Sequence, residues 1–197
     1  MGIAHHETPD PPPIPNYRRT HSPGATLFFT VVTYRRRPLL TLTESRQMLG
    51  RVIIEVRTQH PFDIDAWVLL PEHLHCIWTL PPGDRDSSKR WGLIKAGFSK
   101  QADPLFHRSD WITQSKAKHR ESTIWQRRFW EHQVRDQDDF NRHVDYIHWN
   151  PVKHGHVRRA TDWPYSTFHR YVAEGAYPED WGDINEDTFD EADFGEA

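Results

Sequence analysis

Two alternating apolar runs set almost end to end constrain this chain most. FDIDAWVLLP (residues 62–71) is followed, after Glu72 alone, by HLHCIWTL (residues 73–80). Successive side chains of a strand leave opposite faces, so the first run sorts Phe62, Ile64, Ala66, Val68 and Leu70 from Asp63, Asp65, Trp67 and Leu69. The second run sorts Leu74, Cys76, Trp78 and Leu80 from His73 and His75. Two strands so closely joined predict a hairpin, and a hairpin needs further strands and helices to cover its apolar face.

The flanking sequence supplies them. ATLFFTVVTY (residues 25–34) is β-branched and aromatic, as a central strand is, and ends at Arg35-Arg36-Arg37-Pro38. From Thr43, which is placed to cap, Met48, Leu49, Val52, Ile53 and Val56 recur at helical spacing to about residue 58. A second helix starts near Ser88 with a Trp91, Ile94, Phe98 stripe, weakened slightly by Gly92 and Gly97. Periodicity is lost over residues 102–123, where SKAKHRES reads as a basic surface loop. IWQRRFWEHQV (residues 124–134) predicts a fourth strand, and Asp136 caps a third helix with Phe140, Val144 and Ile147 on its apolar face and Pro151 at its end. The order β-α-β-β-α-β, then a helix, predicts an α+β, ferredoxin-like (split βαβ) antiparallel sheet. The first two helices should cover the Leu74/Cys76 face, leaving the histidines on the open face. Trp163, Tyr165, Phe168, Tyr171, Tyr177 and Trp181 should then wrap the core.

Composition bounds the rest. At 197 residues with 36% hydrophobic residues and a mean hydropathy of −0.83, the chain is one domain's worth of sequence without a membrane-spanning run. The opening MGIAHHETPDPPPIP has no apolar signal core and Cys76 has no second cysteine, which fits a reducing cytoplasm. Net charge is −3, but residues 178–197 hold nine acidic and no basic residues, leaving 25 basic against 19 acidic before them. A basic body with an acidic tail suits a polyanion-binding surface that the tail could cover; the plainer alternative is a solubilising end. Residues 1–24 read as an extended arm, 25–181 as a single folded domain and 182–197 as an acidic tail.

His73 and His75 project from one strand face, close enough to share one divalent ion, although an exposed His pair is also ordinary polar surface. On the third helix Tyr146 and Asn150 are four residues apart on one face, with His143 beside them. A tyrosine leaning over a His-bound metal suits a nucleophile whose target phosphate the metal polarises. The competing reading makes Tyr146 a core-edge residue and Asn150 a helix C-cap before Pro151.

PEHLHCIWTLPPGD, RWGLIKAGFS, IWQRRFWEH, DYIHWNPVKHG and WPYSTFHRYVAEGAYPEDWG, in that order, resemble the REP-associated tyrosine transposases, a branch of the single-tyrosine HUH endonucleases. The resemblance spans residues 16–182. It implies a metal-dependent (Mg²⁺ or Mn²⁺) single-stranded DNA endonuclease and strand transferase. Such an enzyme nicks and rejoins repetitive extragenic palindromic (REP) hairpins beside a guide tetranucleotide, through a covalent 5′-phosphotyrosine. It further implies His73, His75 and Asn150 as metal ligands, Tyr146 as nucleophile, and Asn16, Tyr17, Arg18 and Arg19 as guide readers. Lys95 becomes a candidate phosphate contact near the metal, and Arg127, Arg128, Lys116, Lys118 and Arg120 backbone contacts. No essential protein partner is implied. The rival readings are a noncatalytic binder of structured single strands on the same fold, and a hydrolase of small phosphoesters that needs no tyrosine.

Overall fold

β1 (Thr26–Val32) is buried along both faces and sits inside a four-stranded sheet of order β2-β3-β1-β4, every neighbour antiparallel. β2 is Asp63–Leu69, β3 is His73–Thr79 and β4 is Trp130–Gln133. The computed structural model describes residues 22–182 and Phe194. The expected split βαβ arrangement is the one observed. α1 (Thr43–Gln59) and α2 (Ser87–Phe106) pack side by side on one face, closing Leu27, Phe29, Val31, Leu74, Cys76 and Trp78 into the larger core. α4 (Gln137–Lys153) lies on the other face against β2 and β3. No helix of the described residues is long and apolar enough to cross a membrane.

Local chemistry explains most boundaries. Asp86 caps α2 by accepting from the Lys89 amide at 2.9 Å, and Asp136 caps α4 by accepting from the Asp139 amide at 2.8 Å. Thr43 does not cap α1: it is the first helical residue, and Leu42 precedes it without a side-chain cap. Gly97, expected to weaken α2, lies where a Cβ would come within 2.9 Å of Val52 Cγ1, so its bare backbone lets α1 and α2 approach.

Four further departures have physical reasons. β2 does not keep one alternation: the register against β3 shifts between Ile64 and Ala66. This bulge sends Phe62 and Ile64 to the α1/α2 core and Ala66, Val68 and Leu70 to the α4 core. The Asp65 carbonyl accepts instead from Arg170 and from the Tyr171 hydroxyl. The fourth strand is short, because residues 124–129 run beside β1's end with only a Thr33–Trp125 bridge. The predicted basic loop contains a helix, α3 (Gln114–His119), capped by Thr113, and its Lys116 is buried over the Tyr34 ring, donating to the Ser122 carbonyl.

Finally, Pro151 does not end α4. It forfeits one amide near the helix end, and the helix stops two residues later. There His156 N donates to Pro151 O and Gly155, at φ +69°, donates to Val152 O. The aromatic segment behaves as expected. Thr167 N donates to Trp67 O, Leu69 N donates to Tyr165 O, and Trp163 Nε1 donates to Leu69 O, covering the free edge of β2. α5 (Phe168–Ala173) follows, with Phe168 fully buried.

Candidate active site on the α4 face of the sheet

The face left by α1 and α2 is open only with respect to those helices. His73 and His75 are both completely buried: Tyr146 of α4 meets the His75 ring, and His154, at the C-cap of α4, meets the His73 ring. Period two puts both imidazoles on this face, with ring centroids 4.8 Å apart. β1 pairing sets Thr30 opposite His75, and Thr30 Oγ1 lies 2.9 Å from His75 Nδ1. That hydroxyl's single proton goes to the Phe194 carbonyl, so it accepts from His75 Nδ1–H. Glu72 Oε1 accepts from His73 Nδ1 at 3.0 Å, and this hydrogen bond, against partial burial, holds the Glu72 carboxyl below its usual range. With Nδ1 donating in both rings, Nε2 is the nitrogen that each neutral imidazole offers to a metal.

Across from them, α4 delivers Tyr146 with its ring centroid 5.3 Å from that of His75. One turn on, Asn150 is buried inside the helix, and the C-cap is His154, so Asn150 is not the terminator. Two neutral imidazole nitrogens and an amide oxygen fit a divalent ion that also takes phosphate oxygens and water. Tyr146 is fully buried. Phe194 stacks on its ring with centroids 3.7 Å apart, and Lys153 Nζ donates to its hydroxyl at 3.2 Å. Sequence reasoning missed Lys153; its place seven residues after Tyr146, almost two full turns, was the available signal, hidden by taking Pro151 as the end of the helix.

His143 lies beside this group rather than in it. Its Nδ1 donates to the Asp139 carbonyl at 2.7 Å, and burial pulls its pKa down to about 4. With His132 and Asp139 it forms the one His/Cys/Asp/Glu group among the described residues whose ligand atoms lie within 4.8 Å of one another. The rings of His132 and His143 are stacked, 12° from parallel, rather than converging on a point. Against its burial, Asp139 takes hydrogen bonds from His132 and Arg135, which hold its carboxyl far below the carboxylate range. This is a hydrogen-bonded hub tying β4 to α4.

Lys95 is on α2, on the opposite face of the sheet from the histidines. Its Nζ donates to the Gln126 carbonyl at 3.0 Å, and burial lowers its pKa to about 8. Arg127 and Arg128 are exposed on the segment Lys95 supports, with Arg127 Nε 3.0 Å from Glu121 Oε1. Lys118 and Arg120 are exposed at the end of α3. Asn16, Tyr17, Arg18 and Arg19 lie outside the described residues.

A REP-associated tyrosine transposase of Escherichia coli K12 is 50% identical to this chain over 171 residues, 86% of this chain and 93% of that protein. The chain belongs to the REP-associated tyrosine transposases. A Haemophilus influenzae relative assigned to the same family is 41% identical over 167 residues, 85% of this chain and 93% of that protein. A solved structure of the REP-associated tyrosine transposase bound to a REP hairpin superposes with a TM-score of 0.74 at 49% identity, covering 90% of this chain and 94% of that one. No family model matches the sequence. Membership of the REP-associated tyrosine transposases makes this chain an enzyme acting on DNA and sets aside the noncatalytic reading.

Proposed function

We propose that this transposase nicks and rejoins single-stranded DNA at REP-type hairpins through Tyr146, with His73, His75 and Asn150 holding a Mg²⁺ or Mn²⁺ ion. The observation that carries this reading is the buried juxtaposition of Tyr146 with His75, ring centroids 5.3 Å apart, on two different elements. The REP hairpin bound to the relative of known structure supports the substrate class. When bound, the metal would polarise the scissile phosphate by drawing on its oxygens.

The chain's own residues do the rest. Glu72 and Thr30 fix both imidazoles in the ligating tautomer. α4 carries the phenol to the phosphorus, and the Tyr146 oxygen forms the new O–P bond as the bond to the 3′-oxygen breaks. That leaves a 5′-phosphotyrosine and a free 3′-hydroxyl, and the bond energy kept in the ester allows rejoining without an external energy source. Asn16, Tyr17, Arg18 and Arg19 would read a guide tetranucleotide by stacking and charge, and Arg127 and Arg128 would contact backbone phosphate. The place of action is the cytoplasm, where the DNA is.

The test incubates purified protein with labelled single-stranded REP hairpin DNA, with and without Mg²⁺ or Mn²⁺, on a denaturing gel. A metal-dependent, heat-stable protein–DNA band that vanishes in Tyr146→Phe is expected. Hairpin binding without cleavage in either metal would sink the proposal.

A further inference from the structure

We propose that Lys153 is a catalytic residue of this transposase, whose ammonium group stabilises negative charge on the Tyr146 oxygen in both cleavage and rejoining. The inference rests on the reading of Tyr146 as nucleophile. Lys153 Nζ lies 3.2 Å from the Tyr146 hydroxyl and 4.9 Å from the ring centroid, so the cation sits on the one atom that must bond to phosphorus. Seven residues turn an α-helix through almost two full turns, which returns Lys153 to the Tyr146 face.

That placement depends on how α4 ends. Were Asn150 its last residue, residues 151–153 would leave the helix and the lysine would not be held in line with Tyr146. The helix runs on through Pro151 and closes at Gly155, where paired bonds to Pro151 O and Val152 O seal the last turn. Holding the ring in place does not require a lysine. Phe194 stacks on it, His75 meets it edge-on at 5.3 Å, and Phe28 does so at 6.3 Å. A positive charge at the hydroxyl adds something these ring contacts do not, namely a partner for an oxygen that gains negative charge.

In cleavage the Tyr146 proton passes to solvent and its oxygen lone pair forms the O–P bond. The P–O3′ bond breaks, and the 3′-oxygen takes a proton from solvent. In rejoining the 3′-oxygen attacks, the P–O bond to Tyr146 breaks, and its electron pair returns to the phenolic oxygen facing Lys153. Because the two directions share one transition state, Lys153 must speed both.

The experiment measures single-turnover formation of the covalent adduct with a labelled REP hairpin strand in Mn²⁺, its reversal on adding excess 3′-hydroxyl strand, and hairpin affinity on native gels. The variants are Lys153→Met, Lys153→Arg, Tyr146→Phe and the double variant Tyr146→Phe/Lys153→Met. A charge-assisted hydrogen bond lost at the reacting oxygen should slow Lys153→Met roughly 10- to 100-fold in both directions. Affinity should stay within about twofold, and Lys153→Arg should recover much of the rate. An unchanged rate in Lys153→Met overturns the proposal. So does a rate loss matched by a loss of affinity that persists in the double variant, which would make Lys153 a DNA backbone contact. If wild type forms no adduct, or Tyr146→Phe still forms one, it is the assignment of Tyr146 that fails, whatever Lys153 does.

Discussion

Phe194 lies flat on Tyr146, ring centroids 3.7 Å apart and planes 6° from parallel, with its backbone carbonyl accepting from Thr30. A residue from the acidic end of the chain thereby covers the ring of the candidate nucleophile and joins the group that orients His75. A DNA strand that reaches Tyr146 must take over that space. Phe194→Ala should therefore make Tyr146 reactive to tetranitromethane in the free protein, while wild type is protected there. Equal nitration of Tyr146 in the two proteins, mapped by mass spectrometry, would refute the contact.

Glu72 should matter to metal affinity without touching the metal. It accepts from His73 Nδ1 at 3.0 Å and so decides which nitrogen faces inward. Removing such a partner typically weakens metal binding about 10- to 100-fold. Glu72→Ala should show that loss for Mn²⁺ in calorimetry, with Glu72→Gln intermediate, because its amide oxygen can still accept. Unchanged affinity would mean the ion does not bind through His73.

The hub at Asp139 predicts a pH dependence. His143 is neutral in the fold, its pKa lowered from 6.5 to about 4 chiefly by burial, whereas in the unfolded chain it protonates near 6.5. Protonation therefore favours unfolding: this contribution is complete above about pH 6.5 and is lost as pH falls towards 4. Between pH 7 and 5 the loss is about 2 kcal/mol. His143→Gln should be less stable at pH 7 but show a correspondingly shallower decline in denaturant midpoint between those pH values. Parallel declines would show that His143 is not the group responsible.

Two glycines of α2 should respond oppositely to the same change. At Gly97 an added Cβ meets the stiff, buried Val52 at 2.9 Å, and overpacking of this kind costs about 1–3 kcal/mol. At Gly92 nothing lies within 4 Å, so alanine there should stabilise by up to about 1 kcal/mol through helix propensity. Thermal melting should thus fall for Gly97→Ala and rise for Gly92→Ala, and Val52→Ala should relieve part of the first effect.

What the sequence determined by itself is what local periodicity controls. Period two put His73 and His75 on one face, a four-residue spacing put Tyr146 and Asn150 on another, and Asp136 marked the start of the helix that carries them. The split βαβ order followed from the succession of those periods. The tertiary structure alone decided the bulge at Asp65, which needs β3 as a ruler and Arg170 and Tyr171 as partners for the freed carbonyl. It also decided that α4 passes through Pro151, where the closing bonds at Gly155 outweigh one missing amide, and so brought Lys153 to Tyr146. The burial of the histidines and the seat of Phe194 belong to the same class. The bulge, the buried histidines and the seat of Phe194 are contacts between residues distant in sequence, favourable only once the sheet and α4 are assembled, and no local pattern encodes them.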